Sequence, residues 1–300
     1  MGVYEIRDRD EAVSIMVDKA NIAADTIKNN YDCCVAYYDE HLLEISIEQR
    51  RLLGEFEPAL QNDEFVMYLQ PQVKRDGAAK GAEALVRWVH PSRGILTPYA
   101  FIDILENAGL IYKLDLYIWE KAAQKLAEWK EKGYGSYHIS VNISTKDFYI
   151  IDIYETFTGL INKYGIAASN LHLEITETTL MTDFEKNMNI IHKLQDVGFR
   201  VEIDDFGSGY SSLNMLKDIS ADVLKIDMGF LRKSENEVKG QDILESIITL
   251  AGKIGMDVIT EGVETKKQLD MLTMMGCHEF QGYYFSKPVP VSEFEEKYLV

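Results

Sequence analysis

An α/β fold, a TIM-like (β/α)8 barrel carrying a small N-terminal α/β appendage, is predicted by three observations. From Glu64 onward, strand-like and helix-like segments alternate almost without interruption, as in parallel-sheet proteins. The strand-like segments number close to eight, which favours a closed barrel over an open doubly wound sheet. Finally, acidic or amide side chains recur at or beside the ends of short apolar runs: Glu83 in GAEALVRW, Asn142 in SVNIS, Glu174 in LHLEIT, Asp204 and Asp205 in VEIDDFG, Glu261 after DVIT, and Gln281 in EFQGYYF. A barrel gathers such residues at the rim formed by its strand carboxyl ends.

The elements follow in order. VYEI reads as a strand, DEAVSIMVDKANIAADTIKN as an amphipathic helix and CCVAYY as a second strand. This unit is too small to bury a core alone, so residues 1–50 are expected to lean on the larger domain. EHLLEISIEQRRLLGEFEPALQN reads as one or two helices, with Gly54 and Pro58 marking a possible break and 51–55 as a helical linker. The barrel is expected over 56–300. It opens with EFVMYLQPQV and GAEALVRW, separated by a short Lys, Arg, Asp and Gly turn. Helices around 99–109 and 115–132 precede YHISVNIS, and one around 152–164 precedes NLHLEIT. The series continues with helices near 183–197, 211–218, 240–254 and 265–274, interleaved with GFRVEID, ADVLKID, GMDVIT and HEFQGYY.

A formal charge of -18 and a pI near 4.8 oppose binding of long nucleic acids or anionic membranes over the whole surface. A small phosphate-bearing ligand stays compatible where metals and local cations reverse the field. No apolar run approaches the roughly 20 residues needed to cross a bilayer, so direct membrane insertion is not expected. Cys33, Cys34 and Cys277 make an odd count without zinc spacing, as expected of reduced thiols in a cytoplasmic chain. G-x-G-x-x-G, G-x-S-x-G and P-loop motifs are absent, which removes the usual signs of a Rossmann dehydrogenase, a serine hydrolase or an ATPase.

Ionised carboxylates in apolar surroundings need a partner, and Lys225 and Arg87 are too few for five of them. Divalent cations are the simplest shared explanation, and oxygen-only ligands point to Mg2+ or Mn2+ rather than zinc. Asp204 and Asp205 repel one another unless cations are shared, and Gly207 and Gly209 permit the turn that brings both acids to one site. Asp204 can then bridge two ions. The competing reading is an acidic turn capped by Ser208, Ser211 or Ser212. Glu83, Asn142 and Glu174 are candidates for the first ion and Glu261 for the second. Lys225 either polarises a water or forms an ion pair with rim acids. Arg87 shares strand parity with Glu83 and anchors a phosphate, unless it is a surface ion pair. His90, His138, His172 and His192 are not expected to form a metal set, with His138 and His172 read as packing residues.

These segments resemble the EAL-domain family of cyclic di-GMP phosphodiesterases. The resemblance rests on EALVRW at 83–88, YLQPQV at 68–73, VNIS at 141–144, LEITE at 173–177, DDFGSGYSSL at 204–213, LKIDMGF at 224–230, EGVET at 261–265 and QGYYFSKP at 281–288. It implies metal-dependent opening of cyclic di-GMP to linear pGpG or, alternatively, a catalytically silent receptor for the same ligand. Glu83, Asn142, Glu174 and Asp204 then hold one ion, and Asp204, Asp205 and Glu261 the other. Lys225 orients the attacking water with support from Gln281, Glu264 steadies the loop that starts at Asp205, and Arg87 meets a phosphate. Gln70 and the loop containing Glu106 face guanine edges. Ser208 and Thr260 depart from the family's usual threonine or alanine and alanine, without removing a ligand. A homodimer through Tyr210–Glu237 is also implied. Residues 1–50 resemble the C-terminal end of a GGDEF domain without its nucleotide-binding segments, and a longer parent could be membrane-tethered.

Overall fold

Strand register shows why the polar residues converge. In the computed structural model, which describes residues 1–27, 34–207, 219–229 and 237–299, eight strands close into one barrel. They are β3 (Phe65–Lys74), β4 (Ala79–His90), β6 (His138–Ile143), β7 (Leu171–Thr176), β8 (Val201–Phe206), β9 (Val223–Asp227), β10 (Asp257–Glu261) and β11 (Glu279–Phe280), with β11 pairing back to β3. Two short strands extend the sheet, β5 (Gly94–Leu96) on β4 and β12 (Val289–Pro290) on β3. The predicted barrel is therefore present, ringed by helices.

The expectation of an all-parallel barrel is corrected at β3, which runs antiparallel to both β4 and β11. A tight turn joins β3 to β4, with Gly77 N donating to Lys74 O at 2.9 Å and Lys74 N to Ala78 O at 2.9 Å. No helix intervenes, and a parallel crossover needs about a dozen residues.

Side chains alternate across each strand. On β6 and β7 the apolar set Ile139, Val141, Ile143, Leu171, Leu173 and Ile175 is buried on one face. The opposite face carries His138, Ser140 and Asn142 on β6 and His172 and Glu174 on β7. Val201 and Ile203 on β8, and Leu224 and Ile226 on β9, continue the apolar layer, leaving Glu202, Asp204 and Lys225 on the polar face. Interiors of such barrels are ordinarily packed with branched apolar side chains; this one is a column of polar groups.

The helix Ile111–Glu131 supplies much of the apolar layer, burying Leu114, Ile118, Trp119, Ala122, Leu126 and Trp129 at helical spacing. Trp119 Nε1 donates to Asn142 O at 3.0 Å and so holds the end of β6. The C-terminal helix Val291–Tyr298 stacks Phe294 on Trp129 at 5.6 Å.

The chain divides into two compact units, Met1–Asp63 with Tyr99–Ala108, and Glu64–Pro98 with Gly109–Val300. In the first, β1 (Gly2–Val3) and β2 (Ala36–Tyr37) pair in parallel beside the helix Val13–Asp25. Glu40–Gln61 forms one unbroken helix that includes Gly54 and Pro58, capped by Asp39, whose side chain accepts from Leu42 N at 2.9 Å. No helix among the described residues is long and apolar enough to cross a membrane. The expected 211–218 helix, the Ser208, Ser211 and Ser212 caps, Gly209, Cys33 and most of the Tyr210–Glu237 segment lie outside the described residues.

Candidate active site

Lys225 is the centre of the polar column. Its side chain, fully buried on β9, brings Nζ to 2.8 Å from Glu261 Oε1, 3.0 Å from Glu174 Oε1, and 3.4 Å from both Glu83 Oε2 and Asp204 Oδ1. Four strands thus aim one carboxylate each at a single ammonium. Glu83 is further held by Asn142 Nδ2, which donates to Oε1 at 3.2 Å, and by Gln281 Nε2, which donates to Oε2 at 2.5 Å. Gln281 also donates to Gln70 Oε1 at 3.3 Å, while Gln70 Nε2 donates to Ser286 O at 3.3 Å.

Asp204 and Asp205 share the site through a local break in alternation. Between β8 and β9 the register slips from Ile203 opposite Leu224 to Phe206 opposite Ile226, so β8 carries an extra residue there. Asp205 adopts a φ of 56° and Gly207 one of 94°. The turn expected from the glycine-containing segment is realised partly by the aspartate itself, a residue type tolerant of left-handed backbone.

The charges do not balance. If all four carboxylates around Lys225 are ionised, three remain uncompensated, and two like charges about 4 Å apart repel by about 4 kcal/mol at an effective dielectric near 20. Burial alone would lower the Lys225 pKa, but Asp204, Glu174, Glu261 and Glu83 outweigh it and hold the ammonium well above its usual range. Burial, then repulsion from Glu83, pushes Glu174 well up despite Lys225. Burial and the fields of Asp204 and Glu83 raise Glu261 to about 8. Asp205 is raised by partial burial of its carboxyl and by Asp204 and Asp227.

Both oxygens of Glu174, Asp204 Oδ1, Glu261 Oε1 and Gln281 Oε1 are buried without a hydrogen-bond partner among the described residues, although Lys225 lies within ion-pair reach of Glu174, Asp204 and Glu261. Hard divalent cations fit this surplus of oxygen donors and negative charge.

The remaining predicted residues have local surroundings of their own. Arg87 is half-buried, with its guanidinium 5.4 Å from the centre of the Tyr68 ring and Nη1 donating to Val86 O at 2.8 Å. Burial lowers its pKa, against the opposing fields of Tyr68, Tyr283 and Glu83. Glu264 is exposed just before the helix Lys266–Met274, and its backbone N donates to Gln268 Oε1 at 2.9 Å. Glu106 sits on the helix Ile102–Ala108 of the first compact unit. Asp227, opposite Glu261 in register, adds an acid to the rim.

One expectation is overturned. His138 and His172 do form a set, with Glu202, whose ligand atoms all lie within 4.8 Å of one another and can hold one divalent ion. Strand parity is the reason: His172 and Glu202 each stand two residues before a rim carboxylate, and His138 four before Asn142, so all three face the barrel interior. Glu202 went unnoticed in the sequence, although its two-residue offset from Asp204 was the available signal.

Residues 54–288 match the family model described as the EAL domain. The chain belongs to the EAL-domain family. It is 32% identical over 272 residues to the Pseudomonas aeruginosa bifunctional diguanylate cyclase/cyclic di-GMP phosphodiesterase MucR, covering 90% of this chain and 39% of that protein. The Escherichia coli cyclic di-GMP phosphodiesterase PdeR is 33% identical over 240 residues, covering 80% of this chain and 36% of that protein. The chain therefore spans well under half the length of these curated relatives. Among solved structures, the PaMucR phosphodiesterase in complex with c-di-GMP superposes with a TM-score of 0.77 at 33% identity, covering 81% of this chain and 99% of that one. The EAL enzyme Bd1971 bound to cAMP and cyclic-di-GMP gives 0.78 at 28% identity, covering 95% and 74%.

Proposed function

We propose that this chain hydrolyses cyclic di-GMP to linear pGpG with two divalent ions, Mg2+ or Mn2+, held at the barrel rim. The observation that carries the reading is the convergence of four carboxylates, two of them buried, on one lysine, with five oxygens that have no hydrogen-bond partner among the described residues. Glu83, Asn142, Glu174 and Asp204 would hold one ion; Asp204, Asp205 and Glu261 the other. When bound, the ions supply Lewis-acid polarisation of the phosphoryl oxygens and lower the pKa of water.

The chain's own residues set the geometry. Lys225 stays protonated among its carboxylates, which suits it to donate to and orient the attacking water rather than to deprotonate it. A rim carboxylate then takes the water's proton. Water oxygen bonds to phosphorus, the bond to the leaving ribose oxygen breaks, and that oxygen ends protonated on pGpG. Gln281 fixes Glu83 through its donated hydrogen bond and keeps its own Oε1 directed into the site. Arg87, backed by the Tyr68 ring, binds a phosphate; Gln70 and Glu106 recognise guanine edges, and Glu264 steadies the segment after Asp205.

Three wider readings accompany this one. A cytoplasmic homodimer through the Tyr210–Glu237 segment is supported by family resemblance. The acidic exterior argues against long nucleic acids. Residues 1–50 are read as the end of a GGDEF-like domain: residues 54–300 are 247 of the 300, so the 90% coverage by the relative named a bifunctional diguanylate cyclase reaches into the preceding segment.

A product assay tests the function. Purified chain stripped of metal, then restored with Mg2+ or Mn2+, should convert cyclic di-GMP to pGpG as first product and leave cyclic di-AMP and a generic phosphodiester largely intact. Tight cyclic di-GMP binding without metal-dependent turnover would make the chain a receptor instead.

A further inference from the structure

The amino-terminal floor of the barrel holds a second cluster that the rim chemistry does not use. His138, His172 and Glu202 are 8%, 4% and 0% exposed. The two imidazoles lie flat against each other, with centroids 3.8 Å apart and planes 4° from parallel. His172 Nδ1 is 2.5 Å from Glu202 Oε1, and His138 Nε2 is 2.7 Å from Gln72 Oε1. Ser140 Oγ donates to Glu202 Oε1 at 3.3 Å.

Two further observations say that this floor is arranged around the cluster. Gly81 is the register partner of His138, and a Cβ at Gly81 would fall 2.4 Å from the imidazole, so the glycine is what makes room for that ring. Glu202 Oε2 and Gln72 Nε2 are buried and have no hydrogen-bond partner among the described residues, a cost that a floor filled only for packing would avoid. A cavity of about 450 Å3 reaches the cluster from outside, past Lys80 and Arg200. The charges of those two side chains are taken up by Glu279 and Asp257, so the passage is not a net cationic barrier.

We propose that His138, His172 and Glu202 bind one transition-metal ion of the zinc class, separate from the oxygen-donor rim, and that this ion ties β6, β7 and β8 together at the barrel floor. Two imidazole nitrogens and one carboxylate oxygen are a borderline donor set, suited to zinc, cobalt or nickel and poor for Mg2+, which prefers oxygen and sheds its water reluctantly. Three protein ligands leave the fourth position to a water from the cavity. The ligand atoms already lie within 4.8 Å of one another, and binding would draw each of them to about 2.0–2.2 Å from the ion. The inference does not depend on the phosphodiesterase reading.

Cobalt(II), a spectroscopic substitute for zinc, provides the test. The full chain is stripped with chelator, saturated with Mg2+ to fill the rim and titrated with cobalt(II). One equivalent should produce intense visible ligand-field bands, as in a four- or five-coordinate site with nitrogen donors, because octahedral oxygen-bound cobalt absorbs only weakly. Stoichiometric zinc should abolish the bands and excess Mg2+ should not. His172→Gln and Glu202→Gln should lose them while the Mg2+-loaded variants still unfold cooperatively. Gly81→Ala, which displaces the His138 ring without deleting a donor, should weaken cobalt binding at least tenfold. Failure of the wild-type chain to develop the bands, or bands unchanged in both ligand variants, would overturn the site. If the variants do not fold, X-ray absorption at the zinc edge of the wild-type chain decides: imidazole scattering from two histidines supports the site, and its absence refutes it.

Discussion

The rim and the floor of this barrel are made by the same strands, yet they place different groups together. At the rim, four carboxylates face one lysine and the surplus is negative. At the floor, Glu202 faces His172 directly, and that contact, against the opposing effect of burial, holds its pKa down at about 2. Burial and the neighbouring His172 keep His138 well below the usual histidine range, and so neutral. The difference teaches that inward orientation alone does not define a site. A two-residue step along β7 or β8 turns an oxygen-only, carboxylate-rich environment into a nitrogen-containing one.

Deleting a shared rim ligand is the harshest way to break the comparison. Asp204→Ala removes an oxygen assigned to both ions, so turnover of cyclic di-GMP should fall by about a thousandfold or more. Cobalt(II) bands from the floor should remain. Steady-state kinetics and the cobalt titration on the same preparation check both halves. Turnover within a few-fold of wild type would sink the two-ion rim.

The next effect is on stability. Lys225→Met leaves these carboxylates without the cation that the described residues place beside them, and breaking a buried pair in this way costs about 3–5 kcal/mol. Urea unfolding in chelator should show that loss, and added Mg2+ should recover part of it. An unchanged midpoint would mean that the rim acids are already neutralised by protons in the metal-free chain.

Metal loading of the wild-type chain acts in the same direction with smaller size. Each ion at about 100 times its Kd adds about 2.7 kcal/mol, provided it does not bind the unfolded chain. Thermal unfolding with Mg2+ and with chelator measures it. A rim that gains nothing from Mg2+ would no longer contrast with the floor, and its surplus charge would need another explanation.

Much of this contrast was readable in the sequence, but unevenly. The rim was legible because its acids stand at the ends of apolar runs, where an unpaired carboxylate is costly, and because the runs carry family motifs. The floor was not, because His138 and His172 sit inside strand-like segments 34 residues apart and look like packing residues until closure of the barrel brings β6 beside β7. Counting parity back from Asn142, Glu174 and Asp204 would have exposed all three floor residues. Other departures have local causes. The reversed first strand follows from a four-residue turn that no helix can replace. Strand β11 stops at Phe280 rather than running through HEFQGYY, since Gly282 packs so close to Val263 that a Cβ would lie 2.2 Å from its carbonyl oxygen. Helix Glu40–Gln61 continues through Pro58, whose local conflict is confined to one turn of a 22-residue element.

The smallest predicted effect sharpens the rim by separating charge that holds metal from charge that holds substrate. Arg87 lies on β4 four residues beyond Glu83, and its guanidinium rests against Tyr68 rather than among the carboxylates on Lys225. A charge-assisted hydrogen bond to phosphate contributes about 1.5–3 kcal/mol. Arg87→Ala should therefore raise KM by roughly 10- to 100-fold with a much smaller change in kcat, and calorimetric Mg2+ binding should keep its stoichiometry. Arg87→Lys should recover only part of the loss, since an ammonium keeps the charge but not the planar, two-pronged donor pattern or the stacking on Tyr68. A fall in kcat with KM unchanged would move Arg87 from substrate binding into the chemical step. Loss of a bound Mg2+ in Arg87→Ala would instead show that the guanidinium supports the carboxylate cluster, and the boundary between the two kinds of charge would have to be drawn further from Glu83.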